Sequence, residues 1–476
     1  MRMSEPRRLH PVSAIANCLK QIKELIIPFL VFVVFGSRSD IFQLVISVVI
    51  LAFVLISGIL TWLRYTYRLE EGELRIEYGV FVRKKRYIPF ERIQSLDLSE
   101  GILQRLFGLV KVKVETAGGS NEAEAVLTAV SKEEANSIKE IVFFAKRDSR
   151  EKEDRAFEKG CEQILYKISL QELFLLASTS GGVGVVLSAV LAFVFQFEEF
   201  IPYEQIFRGI EDVVSDGIFF ISIIIFIGFL IAWLIALIGT MIKYSGFTLI
   251  KKDEELIISR GLLEKRQLTI PLQRVQAVRI SENLIRQPLG LCTVYMESAG
   301  GSNADKENAK VMALPVIKKN CVASLLSEHL ADYELEPVIR QAPKRALGRY
   351  AVRGLLIVLP VIAALVTFFR PWGLLAAIPI LLLSFLWSFI SYRDAGWNIH
   401  HQQLTLRYRT IIKNTVMMKR NKIQSLSMHE GIFQRRGNLA TIRASVLSGL
   451  GGSGGKVKDL DKEDVLASYK WYSYTK

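Results

Sequence analysis

Six apolar runs, grouped in pairs, set the strongest limit on how this 476-residue chain can fold. They lie at 22–35 and 41–63, 173–195 and 217–242, and 351–369 and 372–390. Most reach the ~20 residues that cross a ~30 Å hydrocarbon core, and backbone in lipid satisfies its own polar groups only as helix or closed barrel. GSRSD at 36–40 and Arg370-Pro371 are short connections and predict helical hairpins. The basic N-terminus resembles a signal peptide, yet its apolar run continues into a second one with no small-residue cleavage pattern, so an uncleaved hairpin is expected.

Lysine and arginine gather where the hairpins meet the hydrophilic segments, as at Arg64, Arg68, Lys243, Arg349 and Arg393. The long turn 196–216 instead holds six acids against Arg208 alone. Such asymmetry predicts that both termini and all three hydrophilic segments are cytoplasmic. With a net charge of +14, the anionic membrane surface is a simpler basic-protein partner than nucleic acid. Cys18, Cys161, Cys292 and Cys321 lack metal-site spacing and read as reduced thiols. No ionisable residue sits in the middle of an apolar run, which removes the usual relay of ion-coupled transporters. The Ser178–Gly184 stretch STSGGVG leaves a substrate path as the competing reading, beside close helix packing.

A soluble unit follows each pair. Residues 79–121 align without a gap on 261–303, at an offset of 182, with 16 of 43 positions identical. A diverged third copy lies at 411–449, where Lys422-Ile423-Gln424-Ser425 matches Arg92-Ile93-Gln94-Ser95 and Arg274-Val275-Gln276-Ala277. Each unit reads as antiparallel strands followed by a helix. Glu71-Gly72 signals a turn, 109–115 alternates with Val110, Val112 and Val114 on one face, and Ser131 with Glu134 suggests a capping box. Val322, Leu325, Leu326 and His329 make the closing helical face in the second copy; Asp461 caps Val465, Leu466 and Tyr469 in the third.

The pentapeptide AGGSN at 117–121 and 299–303 sits between β-prone runs and is expected to be a turn. A phosphate loop would need a lysine and a hydroxyl residue entering a helix, whereas Glu122 and Glu124 follow here. SGLGGSGGKVK at 448–458 lacks the same spacing. Adjacent strand residues such as His400 and His401 would face opposite ways, so no shared metal site is expected; no cofactor motif is present either. Glu100, Glu282 and Glu430 recur once per unit, as a feature of the fold. The candidate lipid- or partner-binding residues are the basic run Arg83, Lys84, Lys85 and Arg86, with Lys265, Arg266, Lys419 and Arg420 as its counterparts. Arg92, Arg274 and Lys422 join them from the repeated motif.

An apolar hairpin followed by Y-x-L, L-x-I, IP, RIQSL, QR, GL and AGGS resembles the bacterial pleckstrin-homology-like (bPH) family of membrane proteins, with three copies over essentially the whole chain. The third copy departs from it, with Met418-Lys419 in place of the IP pair. The resemblance implies an α+β multi-pass membrane protein. Three transmembrane helical hairpins would each be followed by a PH-like curved β-sheet or barrel with a C-terminal helix. The boundaries expected are a tail and hairpin at 1–64, a domain at 65–147, a charged linker at 148–172, a hairpin at 173–243 and a domain at 244–333. A linker at 334–349, a hairpin at 350–391 and a diverged domain at 392–476 complete the chain. The resemblance supplies no enzyme activity. It implies membrane lipids with anionic headgroups, a smaller bPH membrane protein or a homo-oligomer as partners, and envelope-stress or antimicrobial-peptide tolerance as a setting.

Overall fold

A computed structural model describes residues 6–35, 40–80, 82–116, 125–148, 162–181, 188, 218–298, 310–368, 372–447 and 453–473. The first repeat contains β1 (Arg7–Arg8), α1 (Val12–Phe35), α2 (Asp40–Arg64), β2 (Thr66–Glu70), β3 (Glu73–Tyr78), β4 (Lys84–Pro89) and β5 (Ile93–Glu100). It ends with α3 (Ile102–Leu106), β6 (Leu109–Thr116), β7 (Ala125–Ser131) and α4 (Lys132–Asp148). The second contains β8 (Gln163–Lys167), α5 (Leu170–Ser178), α6 (Ile218–Tyr244), β9 (Thr248–Lys252), β10 (Glu255–Arg260) and β11 (Lys265–Pro271). β12 (Val275–Glu282), β13 (Leu291–Ser298), β14 (Lys310–Lys318) and α7 (Asn320–Leu326) follow. The third contains β15 (Arg340–Gln341), α8 (Leu347–Phe368), α9 (Trp372–Asp394), β16 (Gly396–His400), β17 (Gln403–Arg409) and β18 (Lys413–Lys419). Its second half is β19 (Ile423–His429), α10 (Ile432–Arg436), β20 (Leu439–Val446), β21 (Ser453–Asp461) and α11 (Lys462–Tyr472).

Three described helices are long and apolar enough to cross a membrane, at Phe226–Tyr244, Lys344–Thr367 and Gly373–Asp394. In α2 the apolar stretch Val48–Arg64 is shorter. Most of the expected run 173–195, the turn 196–216 and the connections 36–39 and 369–371 lie outside the described residues. The six-span arrangement is therefore represented here by three candidate helices. Small residues bring consecutive helices close, as the packing of helices without a solvent-driven hydrophobic term favours. Gly354 on α8 lies against Ser384 and Ser388 on α9, and Gly58 on α2 lies against Cys18 on α1, leaving no room for a Cβ at either glycine. Ser57 Oγ also donates to Gln21 Oε1 at 2.7 Å.

The chain divides into two compact units, 1–164 with 243–271 and 165–242 with 272–476. In the first, the sheet β1-β2-β3-β4 and the strands β5 to β7 enclose Leu74, Ile76, Val112, Val114 and Leu127. The helix α4 closes this core with Ala135, Ile138 and Val142. Full burial of each large aliphatic side chain contributes about 1.5–3 kcal/mol. The alternation along 109–115 does place Val110, Val112 and Val114 inward. In the second unit, Leu404, Leu406, Ile442, Val446, Val457 and Val465 form the corresponding core of the third repeat. Asp461 Oδ1 accepts from Glu463 N at 3.3 Å at the start of α11. Only Val465 of the expected face is buried; Leu466 and Tyr469 are exposed because the short helix turns a narrow side inward. The second repeat's helix is also shorter than expected and stops at Leu326, before His329.

The sheets do not close into barrels. One runs β7-β6-β5-β11-β10-β9-β8 and another β14-β13-β12-β18-β17-β16-β15, so strands of successive repeats share a sheet. Lys265 pairs with Glu100 and Arg266 with Ser99 where β11 meets β5. Glu282 pairs with Lys413 and Ala277 with Met418 where β12 meets β18. The edge that barrel closure would have satisfied is satisfied by the neighbouring repeat instead.

The turns repeat as the strands do. Glu71, Asp253 and His401, spaced by the repeat offsets, all have positive φ (52°, 52° and 46°), the conformation of a tight hairpin turn. This corrects the reading of His400-His401 as strand neighbours facing apart: His401 is in the turn, and the two rings lie 4.2 Å apart. Gly79 and Gly261 have φ near +112° and +108° and lie against the carbonyls of Val82 and Glu264. Both AGGSN loops lie outside the described residues, and the third repeat's glycine stretch is described from Ser453, in β21. Gly261→Ala should destabilise the protein by more than ~2 kcal/mol, whereas Gly72→Ala, at positive φ in open space, should cost ~1 kcal/mol. Thermal unfolding of the two variants in the same detergent tests the order.

Candidate binding surface

The first basic run occupies a strand that ends its sheet among the described residues. Arg83 immediately precedes β4, and Lys84, Lys85, Arg86 and Tyr87 are exposed along it. The strand pairs with β3, from Glu73–Pro89 to Tyr78–Lys84, and it ends the order of its sheet. Glu77 on β3 takes Arg83 as an ion-pair partner, and its other oxygen lies 3.4 Å from Lys85 Nζ. Desolvation works against the Glu77 carboxylate, but these two cations outweigh it and hold its pKa below the usual value. Arg86 stacks 5.8 Å above the Tyr78 ring, and Arg75 5.4 Å above Tyr87. The result is a ladder of cations and aromatic rings along one exposed strand. Arg92 is exposed in the 3-10 turn Phe90–Arg92 that follows.

The other candidate residues are placed differently. Lys265 and Arg266 are exposed on β11, but that strand is paired on both sides, with β10 and β5. Arg266 Nε lies 3.0 Å from Glu264. Arg274 is half-buried, and Gln276 Nε2 donates to its carbonyl at 3.0 Å. Lys419 pairs with Asp332 and sits 4.9 Å over Tyr333, and Arg420 sits 5.7 Å over Trp471. Lys422 Nζ donates to the Gln273 carbonyl at 2.9 Å. Lys419 and Arg420 are also not the positional counterparts of the first run. The offset that matches Lys422 to Arg92 matches Lys413 to Arg83, whereas Lys419 falls at Pro89. Lys413 starts β18, and Lys419 ends it.

A second set of polar residues, of which the sequence marked Arg349 and the stretch around Thr179 for other reasons, ties each soluble repeat to its preceding helices. In the first, Trp62 Nε1 donates to Leu9 O at 2.8 Å, Tyr65 Oη donates to Val126 O at 2.9 Å, and Arg7 pairs with Glu134 at 2.7 Å. In the second, buried Arg286 donates to Thr179 Oγ1 at 2.7 Å, Thr293 Oγ1 at 2.5 Å and Leu176 O at 3.2 Å. It meets the C-terminal end of α5, where free carbonyls and the helix dipole favour a cation. Burial, against the weaker opposing pull of Tyr295 and Cys292, pushes the Arg286 pKa down. The same contacts occupy Thr179, and Ser180 Oγ lies 3.3 Å from Thr240 Oγ1. Gly182 and Gly184 lie outside the described residues.

In the third repeat, fully buried Asp459 receives Arg349 Nε at 2.9 Å, Gln434 Nε2 at 2.7 Å and a contact from Arg353. Gln104, Arg286 and Gln434 share one position in the repeat, the only sequence signal that pointed here. Asp459 itself was masked by its glycine-rich surroundings.

Where β12 meets β18, Arg279 pairs with buried Glu297 and donates to Tyr408 Oη and Gly454 O, each at 2.7 Å. Lys310 lies nearby, 4.2 Å over Tyr295. Burial first, then Arg279, push its pKa down to about 8 against the opposing pull of Glu297. Among the described residues, no group of three or more His, Cys, Asp or Glu side chains is placed to hold a metal.

Repeated open sheets capped by helices and carried on apolar helices define a class of membrane protein built from PH-like domains. The Bacterial PH domain family profile matches residues 25–143, 188–331 and 354–476, and the chain belongs to that family. It is 40% identical over 490 aligned residues, covering 100% of this chain and 99% of the relative, to the UPF0699 transmembrane protein YdbT of Bacillus subtilis (strain 168). A segment is 30% identical over 78 residues, 16% of this chain and 46% of the relative, to the UPF0699 transmembrane protein YdbS of the same organism. No solved structure matches the chain significantly.

Two outcomes are expected. Asp459→Asn leaves two arginines facing a neutral group and should cost about 3 kcal/mol, read as a lower thermal midpoint. Lys310 binds its proton less tightly folded than unfolded, so its contribution to stability rises with pH between about 8 and the ordinary lysine value. Lys310→Met should therefore raise the midpoint at pH 7, with the gain shrinking at pH 10.

Proposed function

We propose that this chain is a non-enzymatic, membrane-anchored binding protein that presents its PH-like domains on the cytoplasmic side of the cell membrane. The observation that carries the reading is the sharing of sheets between repeats. β5 with β11 and β12 with β18 make surfaces for contact out of successive domains. The binding residues proposed are Arg83, Lys84, Lys85, Arg86 and Arg92 in the first repeat, since all five side chains are exposed on β4 or beside it. Lys265, Arg266, Arg274, Lys419, Arg420 and Lys422 take supporting roles, because most of them already have partners within the fold. Cationic side chains at this surface suit an acidic surface on the cytoplasmic face, each contributing ~1 kcal/mol near an anionic membrane. Orientation rests on the lysine and arginine asymmetry of the flanks.

Gentle isolation of tagged protein from its native membrane, with identification of all retained protein and lipid, tests the proposal. Neutralising Arg83, Lys84, Lys85 and Arg86 to glutamine should remove at least one retained component while the protein still folds. Retention of the same components by wild type and variant would overturn it.

A further inference from the structure

The two junctions between repeats are built to one pattern, and among the described residues the first and third repeats each leave half of that pattern unused. β5, β12 and β19 occupy the same repeat position, as do β4, β11 and β18. β5 takes β11 and β12 takes β18. That leaves β4, which ends its sheet beside β3, and β19, which ends its sheet beside β20. Burial follows the pairing at the second junction, whereas the doubly paired β11 still exposes Lys265 and Arg266. Residues of β18 are almost all buried, whereas Lys84 to Tyr87 of β4 are exposed. Every residue of β12 is buried, whereas Gln424, Ser425 and His429 of β19 are exposed.

The charges at the unused edges match those at the used ones. At each junction a basic residue faces the recurrent glutamate: Lys265 opposite Glu100, and Lys413 opposite Glu282 with Nζ 3.5 Å from Oε1. The remaining members of these sets are Arg83 before β4 and Glu430 after β19. One further contact transfers. Arg105 Nη1 donates to Leu262 O at 2.7 Å across the first junction. Its counterpart Arg435 is exposed, and the counterpart of Leu262 is Val80. Lysine on β4 is the ordinary protection of a lone edge, but β19 offers serine, methionine and histidine with neither lysine nor proline.

We propose that β4 of one chain pairs with β19 of a second copy, antiparallel and head to tail, with the register of the two internal junctions. Arg83 then faces Glu430, Lys84 faces His429 and Lys85 faces Met428. Such a contact is heterologous and extends a row of repeats from chain to chain. This inference rests on the binding role proposed above and names the occupant of the same edge.

The test uses full-length protein in native membranes. Differently tagged chains carrying Lys84→Cys and His429→Cys are co-expressed and oxidised, since facing residues of antiparallel strands come within disulfide reach. The mixture should give clearly more cross-linked dimer than either variant alone, because a heterologous contact joins unlike patches. Arg83→Glu or Glu430→Arg should reduce that yield, and the two together should restore it. Equal yields in the mixture and the single-variant controls would overturn the proposal. So would capture of a different, single-domain bPH protein at Lys84→Cys with no dimer; that outcome would leave the binding role standing. A wild-type chain that retains neither a second copy nor any other protein or lipid would remove both.

Discussion

Backbone pairing between repeats is the interaction on which this architecture rests. A PH-like repeat that closed on itself would satisfy its own strand edges. These do not close, so the outer side of β5 from Leu98 to Glu100, and that of β12 from Ala277 to Glu282, pair with the following repeat. The consequence reaches the core. Arg279, on the inner strand of the second junction, is buried with Glu297 and is held from the third repeat by Tyr408 and the Gly454 carbonyl. An arginine in that position is tolerable only with each of those partners in place, because a buried charge without them costs several kcal/mol. The junction is thus both a sheet continuation and a polar lock, and the third repeat fixes side chains of the second.

The same economy appears where soluble repeats meet their helices. A fold carried on a membrane segment could hang from a loose linker, but each repeat here is held by directional contacts. They are aromatic donors to backbone in the first, Arg286 at the end of α5 in the second, and Asp459 with two arginines of α8 in the third. Gln104, Arg286 and Gln434 show one repeat position adapted to different anchors. Glutamine suits a carbonyl or a carboxylate within the repeat, and arginine suits the exposed carbonyls of a helix end. Motion of a helix pair would therefore be passed to its repeat rather than absorbed between them.

Much of the fold was legible because its signals were local and repeated three times. The strand alternation at 109–115, the positive-φ turn after Glu71 and the cap at Asp461 each follow from a few neighbouring residues, and repetition separated them from noise. What the sequence could not yield was pairing between distant strands. Nothing in Lys265 or Glu100 alone states that they face each other rather than partners within their own repeats. Of the curved sheet or barrel expected, the sheet is open rather than closed, because edge satisfaction is a property of the assembly of units. Lys419 and Arg420 were misaligned for a related reason. With the third repeat's IP pair replaced by Met418-Lys419, the basic pair Lys419-Arg420 imitates the run of the other copies, while the register places Lys413 at that position. The exposed run Arg83 to Arg86 was visible in sequence as charge, but not as the edge of a sheet.

Head-to-tail pairing has a geometric consequence that no choice of side chains removes. Each repeat presents one edge of the β4 type and one of the β5 type, and each junction uses one of each. However many repeats are strung together, two unlike edges remain unless the row closes into a ring. Stacked-repeat proteins commonly meet this problem with a polar terminal unit that ends the row. Here the two ends are treated differently. The β4 edge is strongly cationic and keeps an acid, Glu77, among its cations, while the β19 edge keeps Glu430 near Lys462 and Arg435. Both ends therefore hold their junction charges in internal ion pairs that are exposed on at least one side and individually weak, ~0–1 kcal/mol each. Exchange of such pairs for partners across a junction carries little electrostatic penalty, so the strand pairing itself, not the charge, sets the strength of any contact made there; the charges set its register.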